Sequence, residues 1–217
     1  MTRANKQNFS DAGAAKLKEM SDKTTVYTDF LKFQGRTFKH SPRVALEFFA
    51  QKPDTDFIAT AEQWDNAGYT IKNGANSIHF VDENGKHSNL FDFSQVTGDF
   101  PPPRWTLNVE TAAQVKSALG IPADHSLLKG VTSQMISNTQ IVDCMAKLEI
   151  PPKNIEAFRK SYVSSVQTIL AGRFEIGGGK FNIAPDATMF KELYKDSQAM
   201  DFLAHIHAGS QTIPKGR

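Results

Sequence analysis

The stretch ATAEQWDNAGYTIKNGANSIHFVD, Ala59 to Asp82, decides how this chain is built. Its local pattern changes midway. Thr60 stands three residues ahead of Gln63, the spacing of a capping box in which each side chain bonds the other residue's backbone amide. That predicts a short helix over AEQWDNA that Gly68 stops. Beyond Gly68, YTIK, SIHFVD and SNLFDF are strand-like and are separated by NGAN and ENGK. In SIHFV, Ile78 and Phe80 fall on one face and His79 and Val81 on the other, because strand side chains alternate. Asn84-Gly85 predicts a tight hairpin turn, which needs two positive φ angles.

On the N-terminal side, residues 1–22 read as a loose or helical polar lead-in. TTVYTDFLKF places Val26, Tyr27, Phe30 and Leu31 on one stripe and predicts a helix ended by Gly35 as its C′ residue. SPRVALEFFAQ predicts a second helix, capped by Ser41 with Pro42 in the first turn, where no amide donor is missed. On the C-terminal side, TGDFPPPRW reads as an extended connection, because three prolines fit neither helix nor central strand. VETAAQVKSALG follows as a helix between Asn108 and Gly120. ADHSLLKGVTSQMISNTQIVDCMAKLE is one long helix or two, weakened near Gly130. PPKNIEAFRKSYVSSVQTILAG is the clearest amphipathic helix, with Ile155, Phe158, Tyr162, Val163, Val166, Ile169 and Leu170 on its apolar side. RFEIGGGKFNI reads as a hairpin, and one last helix runs from Pro185 to about His205.

The fold class is therefore α+β: a small antiparallel sheet flanked by helices, then a mainly helical half with one short hairpin. The divisions are a lead-in at 1–22, an α+β domain at 23–108 and a helical region at 109–217 that can pack with it as one unit.

The 217 residues are 40% hydrophobic and 22% charged, ordinary for a globular protein with a real core. A net charge of +2 does not argue for nucleic acid, so the placement of charge must. The N-terminal segment is too polar for a signal peptide, and no apolar run approaches the roughly 20 residues that span a bilayer. The expectation is a cytoplasmic protein with no membrane partner. The single cysteine, Cys144, sits among Ile141, Val142, Met145 and Leu148 and reads as a buried small side chain.

Catalytic signatures are missing. EIGGGKF is not a phosphate loop, because Phe181 stands where a magnesium-holding Ser or Thr is required. His205 and His207 diverge on a helix and read as exposed residues at its fraying end. There is no His-Glu-x-x-His and no Gly-x-Ser-x-Gly. We expect no enzyme, no cofactor and no metal, although an enzyme with a hidden site stays a rival.

The basic residues carry more. LKFQGRTFKHSPR holds Lys32, Arg36, Lys39, His40 and Arg43 without one acidic residue, with Phe33 and Phe38 interleaved. Cations that neutralise phosphates beside aromatic faces suit single-stranded nucleic acid. The two Phe serve equally well as core, and the stretch equally as a solvated basic loop.

FQGRTFKHSPRVALEFFAQKP, ATAEQWDNAGYTIKNGANSIHFVD and LFDFSQV occur in an order and spacing that resemble the N-terminal domain of the ArdC antirestriction family. That domain is also found in LtrC-like and large polyvalent proteins of conjugative elements and phages. The resemblance covers about 24–96. It implies an α+β module that binds single-stranded DNA, serving antirestriction in a plasmid, phage or other mobile genetic element. It departs at the turn, where Asn76 replaces a second basic residue. The zinc-protease domain of full ArdC proteins has no counterpart here. On this reading Arg36, Lys39, His40, Arg43, Lys72, Asn73, Lys86 and Arg104 contact DNA. Phe38, Tyr69 and Trp64 are the stacking candidates, Trp64 more readily a core anchor. The alternatives are a protein-interaction module that inhibits a host defence protein, and a part of a larger polyvalent protein.

Overall fold

A computed structural model describes residues 9–55, 57–81, 86–99, 109–175 and 183–211. The end of the polar lead-in is helical. Helix α1 spans Asp11–Asp22, and its N-cap Ser10 accepts from the Gly13 amide at 3.0 Å. Ser10 is itself held by a buried carboxylate: its backbone N–H donates to Glu47 Oε1 at 3.0 Å and its hydroxyl donates to Glu47 Oε2. Helix α2 spans Thr24–Arg36 and α3 spans Pro42–Gln51. Ser41 caps α3 with Pro42 in the first turn, as its sequence requires. Gly35 does not end α2; it lies inside the helix for a packing reason given below.

Helix α4, Ala61–Asn66, begins with the complete Thr60–Gln63 capping box. Three strands form the main sheet: β1 (Ile58–Thr60), β3 (Ile78–Val81) and β4 (His87–Asp92), antiparallel in the order β1-β4-β3. The registers Ile78↔Leu90 and His79↔Asn89 put Ile78, Phe80 and Leu90 against the helical core. Ala59 and Phe91, one residue out of phase, face the other way into a second, smaller core. YTIK contributes only β2, Thr70–Ile71, which pairs with β5, Val96–Thr97, as a separate ribbon. β1 and β5 have no counterpart in the sequence reading; both are too short for a period to show. The Asn84-Gly85 turn lies outside the described residues.

The remaining helices are α5 (Val109–Ala118), α6 (Leu127–Met135), α7 (Asn138–Lys147), α8 (Ile155–Glu175), α9 (Thr188–Lys195) and α10 (Ala199–Gln211). The long SLLKGVTSQMISNTQ stretch divides at Ile136-Ser137, where Ser137 and Gln140 form a capping box, and Gly130 sits within α6. Two expectations are corrected. Arg173–Glu175 continue α8 and are not strand, while the triple glycine lies outside the described residues. The single final helix is two. Ser197, at φ 59°, lets the Gln198 amide reach back to the Leu193 carbonyl at 2.8 Å, closing α9 in a left-handed cap. Gly120 closes α5 in the same way at φ 63°, but a serine in that conformation leaves no glycine to announce it.

The main core crosses the TGDFPPPRW connection. Tyr27, Phe30 and Leu31 of α2 pack with Phe158, Val166, Ile169 and Leu170 of α8, and with Phe190 and Phe202 beyond. The Tyr27 ring stacks on Phe190 at 4.4 Å, and its hydroxyl is 2.8 Å from Ser165 Oγ. Each buried aromatic or aliphatic side chain contributes about 1.5–3 kcal/mol. No helix among the described residues is long and apolar enough to cross a membrane.

Candidate functional site

Arg36 is the last residue of α2. Its guanidinium lies 5.6 Å from the Phe33 ring centre, and its Nη2 donates to the Pro53 carbonyl at 3.1 Å. The following turn is tied internally: Thr37 Oγ1 donates to the Phe33 carbonyl, and Gln34 Nε2 donates to the His40 carbonyl at 3.0 Å. Lys39 at its crest is exposed. His40 is half-buried, its ring edge-on to Phe48 at 5.3 Å. Burial, and then Lys39 beside it, lower its pKa below the ordinary value, so near neutral pH His40 adds no charge. Arg43 lies 5.5 Å over Phe9, the residue that leads into α1.

Lys72 and Asn73 occupy an exposed turn in which Gly74 takes φ 78°. Lys72 is bound to the turn after β4 at two points. Its amide donates to the Gln95 carbonyl at 2.9 Å and its Nζ donates to the Ser94 carbonyl at 2.7 Å. Asn76 also belongs to this junction, its carbonyl accepting from Gln95 Nε2.

Lys52, which the sequence reading passed over as part of a helix end, connects the two groups. Its Nζ donates to Ser94 Oγ at 2.7 Å and lies 2.9 Å from Asp92 Oδ1. Burial alone would raise the Asp92 carboxyl, but hydrogen bonds from Ser94 and Lys52 outweigh it and hold the carboxyl below the usual range. Lys52 adjoins Pro53, the residue that Arg36 holds. Arg36, Lys52 and Lys72 are thus tied in sequence along one edge by the 52–53 and 92–95 segments. Lys86 is exposed, one residue ahead of β4, and Arg104 lies outside the described residues.

Two of the three stacking candidates are buried. Trp64 is 6% and Tyr69 8% exposed, and with Val96 they form the smaller core. Trp64 Nε1 donates to the Phe91 carbonyl at 2.8 Å, which satisfies its one polar group from inside the fold. Tyr69 is edge-on to Trp64 at 5.3 Å. Phe38 is half-buried, with the Arg173 guanidinium 4.3 Å over its ring. Burial lowers the Arg173 pKa, although the group remains a cation. Arg173 was hidden in the sequence because it opens RFEIGGGKFNI, a stretch whose glycines predict a hairpin.

Cys144 is buried, and burial pushes its thiol up to about 12, which removes its nucleophilic form at neutral pH. The expectation of exposed histidines at the C-terminal end is corrected. Helix α10 continues to Gln211, His205 and His207 are both half-buried, and burial lowers His207 to about 4. Compared with known proteins, the chain matches no family model, no curated protein and no solved structure.

Proposed function

We propose that this chain binds single-stranded DNA without catalysing a reaction on it, as a module of a mobile genetic element, in a process such as antirestriction. The resemblance of residues 24–96 to the ArdC N-terminal domain motivates the reading. The observation that carries it is the edge on which Arg36, Lys52 and Lys72 are tied together. Lys72 is held by a backbone carbonyl, so its charge is directed without being cancelled. Lys52 shares its charge with Asp92 and is the weaker contributor. With Trp64 and Tyr69 committed to the core, attraction for the phosphate backbone does most of the binding. Such a site takes single strands with little base preference and strong salt dependence.

The test is fluorescence anisotropy of a labelled oligothymidine over a range of salt. Each phosphate contact on a single strand contributes about −0.7 to the slope of log K against log salt. Lys72→Ala and Arg36→Ala should each weaken binding and flatten the slope by about that amount. No binding at low salt ends the reading, and an unchanged slope in both variants moves the contact surface elsewhere.

A further inference from the structure

The main sheet has one face on the helical core, and its other face is only partly covered. Phe91 and Ala59 lie under the Trp64 cluster, whereas His79, His87 and Asn89 on the same face are exposed. The register pairs His79 with Asn89 and Val81 with His87, so the two histidines are diagonal neighbours across β3 and β4. Aromatic side chains reach across such a diagonal. Here they meet: His79 Nε2 lies 3.2 Å from His87 Nδ1, with ring centres 5.2 Å apart.

The hydrogen bonds fix which nitrogen is available. With Asn89 Oδ1 as the acceptor, His79 Nδ1, 2.9 Å away, carries the proton. His79 Nε2 is then a lone pair, aimed at His87. This is the arrangement of a ligating imidazole, whose second nitrogen donates to an oxygen that fixes tautomer and orientation. Two nitrogens bound to one tetrahedral ion at about 2.0–2.1 Å stand about 3.3 Å apart. The separation between His79 and His87 already matches that bite. Both rings are exposed, and with His79 held by Asn89 it is a tilt of the His87 ring that brings the two lone pairs onto one ion. The backbone beneath is held, since Gln51 Nε2 of α3 donates to the His79 carbonyl at 3.0 Å.

We propose that His79 Nε2 and His87 Nδ1 form a two-histidine site for a late transition-metal dication of the zinc class, with Asn89 as its positioning residue. Binding moves the one ring proton of His87 from Nδ1 to Nε2 through solvent, so the ring stays neutral. Among the described residues no group of three or more His, Cys, Asp or Glu could hold an ion. Among the described residues these two nitrogens are therefore the whole ligand set, and both rings are exposed. Imidazole nitrogen selects zinc, nickel or copper over magnesium. This site is independent of the DNA-binding reading.

The test is titration of the full chain with Zn²⁺ by calorimetry and by long-range ¹H–¹⁵N spectra of the six imidazoles. One ion should bind per chain, with His79 Nε2 and His87 Nδ1 responding first. His79→Gln and His87→Gln should each abolish that step, and both replace exposed side chains, so the far-ultraviolet dichroism stays unchanged. Asn89→Ala keeps both ligands and should weaken binding about tenfold. The proposal is overturned if the double variant binds Zn²⁺ as the parent does, if His205 and His207 respond in place of the pair, or if Mg²⁺ binds equally well.

Discussion

Gly35 and Gly172 meet where α2 crosses α8, and neither has room for a side chain. A Cβ on Gly35 would stand 2.1 Å from the Ile169 carbonyl oxygen, and one on Gly172 would stand 2.2 Å from that of Lys32. Both obstacles are backbone, which cannot rotate away. Gly35→Ala or Gly172→Ala gains up to about 1 kcal/mol of helix propensity. Forcing two packed helices apart costs about 1–3 kcal/mol or more. Overpacking should win, and urea denaturation should give a net loss of stability for each variant. A stabilised Gly35→Ala would mean that the crossing is looser than these distances.

Glu47 holds the start of α1 through both hydrogen bonds to Ser10. Hydrogen bonds to a charged group contribute about 1.5–3 kcal/mol. Glu47→Ala should destabilise the chain by about 2 kcal/mol or more. Amide exchange should accelerate first in residues 11–22. Uniform acceleration across the chain would argue that α1 has no separate anchor.

Trp64→Phe distinguishes a core anchor from a base-stacking surface. It leaves the Phe91 carbonyl without its donor and should cost about 1–3 kcal/mol. Oligothymidine affinity should stay within about twofold of the parent, because a buried ring cannot add the 1–3 kcal/mol of base stacking. Lost affinity at unchanged stability would return Trp64 to the binding surface.

Acid should weaken the fold before the carboxylates protonate. Burial lowers His207 from 6.5 to about 4, and burial also lowers His205 and His40. A depressed histidine binds fewer protons folded than unfolded, so stability rises with pH through the window between the two values. Urea midpoints should therefore fall as pH is lowered from about 6.5 toward 4. His207→Gln should flatten that fall. A midpoint flat to pH 4.5 would contradict the burial of these rings.

What the sequence disclosed was chemistry between near neighbours. The Thr60–Gln63 capping box, the Ser41-Pro42 start of α3 and the alternation of Ile78 and Phe80 against His79 are all written within a few residues. Each was legible because a local hydrogen bond or period determined it. The omissions were distant or silent. Gly35 looked like a helix stop because its true partner, Gly172, is 137 positions away. Ser197 ends α9 in a conformation its side chain does not advertise. β1 and β5 exist only through β4 and β2. In the candidate site, Arg36 could be chosen from its basic surroundings and Lys72 from the resemblance at its turn. Lys52 could not, since the carboxylate and hydroxyl that aim it come from residues 92 and 94.

Helix α8 carries Ser161, Ser165 and Thr168, all fully buried. Ser165 and Thr168 return their hydroxyls to carbonyls four residues earlier in the same helix, at 2.6 and 2.8 Å. A segment polar by composition thereby becomes acceptable as an interior axle, with elements from both ends of the chain mounted around it. Severing the polypeptide near residue 100 would strip α2 of its partner and expose Tyr27 and Phe30, so the N-terminal piece alone should aggregate. Mixing the two pieces should restore the fold only by docking α8 back into place, as complementing fragments of one body.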